Sequence, residues 1–494
     1  MIDRNTHWST LALVGAFLIT PVGAASTAKA SEPAVQGPIP GHPALNLGQF
    51  KMEDLGYVVE EFFISGTADS YSVGALPSDG RWQAEKSNTA PYATRLVVVR
   101  PASPTKFNGT AVVEWLNVSL GADTPADWYM VHRELMRDGY VYVGVSAQKV
   151  GVDGSKGAML GEAHPLTQLD PGRYGKLSHP GDAFSFDIFS QAGRSIRRKD
   201  VKVLGPLVVK HIIAIGESQS AGYLVPYVNA IAPRDKVFDG YFIHSRGAAG
   251  AVTQLTGGKT ENIPTAIRIR TDLGIPVMTF ITETDLIGFN AGGGYIHARQ
   301  PDSKGIRTWE LAGSSHADNY IWQVAAIDDG KQSIAKLAQA WEPMTNLMGT
   351  HVEVPINAAP QHHYALEAAV SALNRWVAEG KAPPEAPLLE VSGDPAVLVL
   401  DANGNAKGGV RTPWEDVPTA KYSGVVKSES PLVRLSGTTQ SFGNDKLMQL
   451  YPGSRAEYLR KFDKSLHDSA ANGFILNADV AEIRELASER YPNK

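Results

Sequence analysis

Apolar residues along this chain fall mostly in short unbroken runs bounded by glycine, proline and polar turns, and only a few stretches show a helical period. Unbroken runs of four to eight apolar residues are what strands buried on both faces produce. One occurs at 212–215, and β-rich, mainly apolar stretches at 57–64, 95–99, 109–116, 140–146, 237–244 and 275–282 are further candidate strands, with a short one at 307–311. Spacing near 3.6 predicts helices at 127–137, 184–198 and 364–379, the last stopped by Gly380 and Pro383. Strand, helix, strand from 109 to 146 is a βαβ unit, which implies parallel pairing and a right-handed crossover. The run at 212–215 continues it.

The remaining stretches carry weaker patterns. Residues 31–50, with Pro33, Pro38, Pro40 and Pro43, predict an extended arm. The stretch 151–180 is too irregular for core and too long for a plain connection, and loops of that length are functional or disordered. Residues 384–451 read as loops with scattered strands, followed by helices near 456–469 and 478–489.

The N-terminus differs from everything after it. Arg4 lies in a short polar start, 11–24 is apolar, and small-residue exits follow at Val22-Gly23-Ala24 and Ala28-Lys29-Ala30. This pattern predicts a signal peptide over 1–30. The run is shorter than the ~20 residues a spanning helix needs, and Pro21 interrupts its end. A periplasmic or secreted mature chain without a membrane span is the expectation. Composition adds exclusions: 20% charged residues and a net charge of -5 give no footprint for nucleic acid. The absence of cysteine removes disulfides, thiolate catalysis and thiolate metal sites.

Candidate chemistry centres on 211–224, HIIAIGESQSAGYL, a strand, a sharp turn and a helix start with Ser218 at the turn. A serine hydroxyl is a weak nucleophile unless held exposed, beside a base and beside amides that receive an oxyanion. A tight strand-to-helix turn supplies that setting and requires small residues on either side, here Gly216 and Ser220. Ser220 departs from the glycine common at that place and tolerates positive φ less readily. The competing reading is a serine that merely caps the following helix. Acid and histidine candidates later in the chain, past the ends of further strands where open parallel sheets bind ligands, favour the nucleophile.

His316, after the small-residue turn 312–315, is the candidate base. Asp285 is favoured over Glu283 as the acid, because 282–285 fits a G-x-x-D turn with threonine for glycine; in an extended chain both acids would face one side. His362 and His363 are competing bases or metal ligands, weakened as ligands because adjacent side chains rarely meet at one ion. The amides of Gln219 and Val118 are the candidate oxyanion donors. No metal or organic cofactor is required. Trp115, Trp128, Trp309 and Trp414 lie near loop ends, where they either face substrate or, more commonly for tryptophan, fill core.

The segments 114–118, 144–148, 216–221, 282–285, 309–310 with 313–318, and 409–418 together resemble a family of bacterial, often exported, α/β-hydrolase domain proteins. The resemblance implies an α/β-hydrolase fold: a mostly parallel central sheet, helices on both faces, and a loop-rich C-terminal cover. It implies one domain over 31–494, with 384–494 packed on the core as an extension. It also implies an esterase-type triad acting on a small-molecule or polymeric carboxylic ester. An amidase or peptidase on the same triad, and an inactive hydrolase fold used for binding, are the alternatives.

Overall fold

Among the residues that the computed structural model describes, 32–154, 161–200, 202–259, 262–288 and 293–492, nine strands form one sheet. They are β1 (Ala34–Gln36), β2 (Tyr57–Val73), β3 (Ala84–Pro101), β4 (Thr110–Trp115), β5 (Val141–Val145), β6 (His211–Glu217), β7 (Gly240–His244), β8 (Val277–Thr282) and β9 (Ile306–Leu311). Their order is β1-β2-β3-β5-β4-β6-β7-β8-β9. The pairs up to β3/β5 are antiparallel; all pairs from β5/β4 to β8/β9 are parallel. The leader predicted at 1–30 lies outside the described residues.

Strand β6 shows why its sequence has no polar alternation. Ile212 and Ala214 point into one core, with Phe186 and Phe189 of the helix Ser185–Arg197 and with Tyr223 and Leu224 of the helix Gln219–Pro226. Ile213 and Ile215 point into the other, with Trp128 and Val131 of the helix Ala126–Arg137 and with Leu366 and Leu373 of the helix Gln361–Glu379. Successive side chains alternate between faces, so burying both faces favours apolar residues on each. The four tryptophans noted above are core: Trp115, Trp128, Trp309 and Trp414 are at most 3% exposed.

Several boundaries differ from expectation. Strands β2 and β3 run well past 57–64 and 95–99, because their extensions carry exposed polar residues such as Lys86 and Asn88 and so break the apolar run. The proline-rich arm is not merely extended: Ala34–Gln36 forms an edge strand on β2, where missing N–H groups cost least. Farther along it, the Leu47 carbonyl accepts from Trp128 Nε1 at 2.9 Å and the Asn46 carbonyl from the Tyr129 hydroxyl at 2.8 Å. The described part of 151–180 contains the short helices Leu166–Leu169 and Pro171–Tyr174, whose Leu166 and Tyr174 pack with Val152 and Leu177 in a small core of their own.

The C-terminal helices Ser454–Ala471 and Val480–Glu489 bring Phe462, Leu466, Ile483 and Leu486 into the core that holds Trp128 and Leu366. Arg133 pairs with Glu482 at 2.6 Å and Arg137 with Asp479 at 2.5 Å, so the same junction is also polar. Residues 32–494 cluster as one compact unit. Among the described residues no helix is long and apolar enough to cross a membrane.

Candidate active site

Strand β6 ends at Glu217 and the next helix starts at Gln219, so Ser218 alone turns the chain. It does so at φ 59°, ψ −115°, a region costly for a residue with a Cβ by about 1–3 kcal/mol. The turn is held from both sides: Ser218 N donates to the His244 carbonyl of β7 at 3.0 Å, and Gly222 N donates to the Ser218 carbonyl at 3.0 Å. A Cβ at Gly216 would lie 3.1 Å from Ser220 Cβ and 3.0 Å from Leu224 Cδ1, so both flanking residues are small for reasons of space. The expectation that Ser220 strains against a positive φ is corrected. The positive φ falls on Ser218 itself, and Ser220 is already helical.

Ser218 Oγ lies 2.8 Å from His316 Nε2, and His316 Nδ1 lies 2.6 Å from Asp285 Oδ1. Asp285 sits in the first turn of the helix Glu283–Ile287, in a capping box with Thr282. Its Oδ2 accepts from Thr282 N at 2.9 Å and from the Thr282 hydroxyl at 2.7 Å, so the residue standing where glycine was expected orients the acid. Glu283 is occupied elsewhere: Oε1 accepts from Gly313 N at 2.6 Å and Oε2 from Gly424 N at 2.8 Å. The expectation that both acids face one side assumed an extended chain. In a helix, residues two apart point to different faces.

Burial alone would raise the Asp285 carboxyl, but the His316 charge and the Thr282 hydrogen bonds hold it below the usual range. For His316 burial works against the imidazolium; Asp285 and then Glu217 outweigh it and carry the ring up to about 9.

Two residues at the centre were missed by the reading of the sequence. Glu217 Oε1 lies 3.2 Å from His316 Nε2. Asn117 Nδ2 donates to the Glu217 carboxylate at 3.2 Å and to its carbonyl at 3.1 Å. Glu217 is adjacent to the nucleophile candidate, but nothing local reveals that its side chain turns towards the histidine. Val118 N is also at the elbow, donating to the Gln219 side-chain oxygen at 3.3 Å.

The His362-His363 pair is engaged away from Ser218. His362 Nε2 is 3.0 Å from His244 Nε2, whose other ring nitrogen is 2.9 Å from Asp127. His363 stacks on Tyr320 and its Nδ1 bonds the Met130 carbonyl at 2.7 Å. Among the described residues no group of three or more His, Asp or Glu side chains is arranged to hold a metal.

Ser218 and His316 open onto a cavity of about 370 Å³. Asn117, Ser119, Asp123 and Glu217 are among its polar lining, and Leu120, Ile321 and Trp322 among its apolar lining. Asn46 of the N-terminal arm and Leu432 and Leu435 of the C-terminal cover also line it, contributions no local motif announces.

A mostly parallel sheet faced by helices on both sides, with the serine on the tight turn after a central strand and the candidate acid and histidine arriving past β8 and β9, defines an α/β-hydrolase. The chain belongs to the alpha/beta hydrolase domain family, whose model matches residues 24–485. Among solved structures it is similar to a glucuronoyl esterase from Solibacter usitatus, at 10% identity over 58% of this chain and 83% of that one, with a TM-score of 0.30. It is likewise similar to esterases from Rhizomucor miehei, at 11% identity over 64% and 85%, TM-score 0.27. A thermostable esterase from Pseudomonas putida matches at 13% identity over 49% and 73%, TM-score 0.26. Comparison with curated proteins finds no match.

Proposed function

We propose that this protein is an exported serine hydrolase that cleaves carboxylic esters. The observation that carries the reading is the chain Ser218 Oγ, His316, Asp285, with links of 2.8 and 2.6 Å, whose Ser218 and His316 line a cavity of ligand size. Ser218 attacks the ester carbonyl while His316 Nε2 takes its proton, and Asp285 stabilises the imidazolium. Collapse of the tetrahedral intermediate breaks the bond to the alkoxy oxygen, which leaves as the alcohol with the proton from His316. Water then enters by the same route and releases the acid from the acyl-serine. The amides of Gln219 and Val118 are the oxyanion donors in this reading. Because Val118 N donates to the Gln219 side chain in this structure, substrate binding requires that side chain to release it. The leader read at 1–30 supports export.

A fluorophosphonate probe tests these statements together. It should label the protein at Ser218, and the labelled chain should be recovered outside the cytoplasm with a start at Ala25 or Ser31. Ser218→Ala should abolish labelling and lower kcat on a small ester by about 10⁴-fold or more, with an unchanged circular dichroism spectrum. Ester hydrolysis by Ser218→Ala at near the original rate sinks the reading. Faster turnover of matched amides than of esters would instead make the protein an amidase.

A further inference from the structure

Glu217 closes β6 immediately before Ser218, and its side chain is only 6% exposed. Its Oε1 stands 3.2 Å from the same His316 nitrogen that faces Ser218 Oγ at 2.8 Å. Asn117 fixes this arrangement by donating to Glu217 Oε2 and to its carbonyl, so the carboxyl is held from behind. Nε2 of an imidazole presents either one lone pair or one proton. With the lone pair it accepts from Ser218. With the proton it has two oxygens to serve, and the carboxylate is the stronger acceptor. Among the described residues His316 is the only basic side chain paired with Glu217.

The remaining surroundings favour the protonated histidine. His316 is flanked by Asp285 on one ring nitrogen and Glu217 on the other, with His244 of β7 close enough to feel its charge. Behind Glu217 lie Glu114 of β4 and Asp127 of the helix Ala126–Arg137, both buried, and His362 beyond His244. Burial lifts the Glu217 carboxyl to about 7, against the pull of His316 and with added repulsion from Asp285. Burial opposes the His316 imidazolium, yet the two carboxylates together raise the ring to about 9. Both carboxylates thus favour the imidazolium, and the base form emerges at higher pH than for an unpaired histidine.

We propose that Glu217 is a second acidic partner of His316, a positioning residue that competes with Ser218 for Nε2 and sets the lower pH limit of turnover. This rests on the serine-hydrolase reading above. The Glu217 carboxylate acts through the histidine and takes no part in bond making. A merely structural Glu217 would change the height of the pH profile when replaced, not its position.

The test is kcat/KM for a neutral acetate ester, followed by pH-stat over about pH 6 to 10.5, for the wild type, Glu217→Gln and Ser218→Ala. Glutamine keeps an acceptor for Asn117 and removes the charge. The acid limb of Glu217→Gln should lie about 1–3 pH units below that of the wild type, so that the variant overtakes it near neutrality. A displacement under about half a pH unit overturns the proposal, whatever the plateau. The wild type gives a second, independent reading should the variant fail to fold: its limb belongs above about pH 7.5, and one at or below that value overturns the proposal. Ser218→Ala separates the two levels. If it still turns over the ester, the hydrolase reading fails; if it is inactive and the limbs coincide, only the role of Glu217 fails.

Discussion

Of Glu283 and Asp285, Asp285 is the one that meets His316 in the structure. Thr282 caps the helix that follows β8, and its side chain and amide together take Oδ2 of Asp285, leaving Oδ1 for His316. Glu283 instead ties two backbone segments, Gly313 from the histidine loop and Gly424 from the C-terminal cover. The two carboxylates therefore have different replacements in store. Asp285→Asn should lower kcat by about 10⁴-fold with little change in stability, because a neutral amide cannot stabilise the imidazolium formed during attack. Glu283→Gln should retain most of the chemistry but lose about 1–3 kcal/mol of stability, since its NH₂ faces one of the two buried amides and leaves it without an acceptor. Steady-state kinetics and urea unfolding of both variants check this. The opposite pattern, a stable but inactive Glu283→Gln beside an active Asp285→Asn, would reassign the acid.

At the level of elements, the two-stranded sheet of the cover, Ala420–Ser423 with Thr438–Ser441, is joined by a connection that packs against the histidine loop. The chain leaving its first strand passes so close that a Cβ on Gly424 would lie 2.2 Å from the Ser314 carbonyl and 2.8 Å from Thr284 N. Thr284 donates its hydroxyl to the Gly424 carbonyl at 2.6 Å, and Ala317 N donates to the Leu435 carbonyl at 3.0 Å. Gly424→Ala must push these segments apart. It should cost about 1–3 kcal/mol and reduce kcat/KM, because Ser314 lies two residues before His316. Denaturant unfolding and kinetics on the folded fraction read both effects, and a variant with unchanged stability and activity would show that the contact does not brace the site. The strands of this cover were not readable individually. They are four residues or fewer and expose part of one face, whereas β4 to β9 are five to seven residues long and almost wholly buried.

Across the whole molecule, the helices at 454–471 and 480–489 share a core with the helices that flank the parallel sheet. Phe462 is fully buried there, 5.5 Å from the ring of Trp414. Phe462→Ala should therefore destabilise the chain by about 3–5 kcal/mol. If the cover and the sheet are one cooperative unit, loss of far-ultraviolet dichroism and loss of fluorophosphonate reactivity should occur in a single coincident transition. Two separated transitions, with only the first moved by the substitution, would mean that the C-terminal segment folds on its own.

Local pattern determined a large share of this protein. The elbow at 216–220 is legible because a one-residue turn between strand and helix needs small neighbours, and the parallel strands because burial on both faces favours apolar residues at most positions. The candidate order serine, acid, histidine is read from the strand ends together with the order usual in α/β-hydrolases. Tertiary structure decided what depends on direction and on distant partners. A helical turn, set by Thr282, separated Glu283 from Asp285; packing turned Glu217 towards His316; and Trp115, Trp128, Trp309 and Trp414 went to the core while Trp322 lined the cavity. Asn46, Leu432 and Leu435 reach that cavity from opposite ends of the chain. Periodicity records which residues are buried. It carries no information on which buried residues meet, because that is set by the packing of segments hundreds of residues apart.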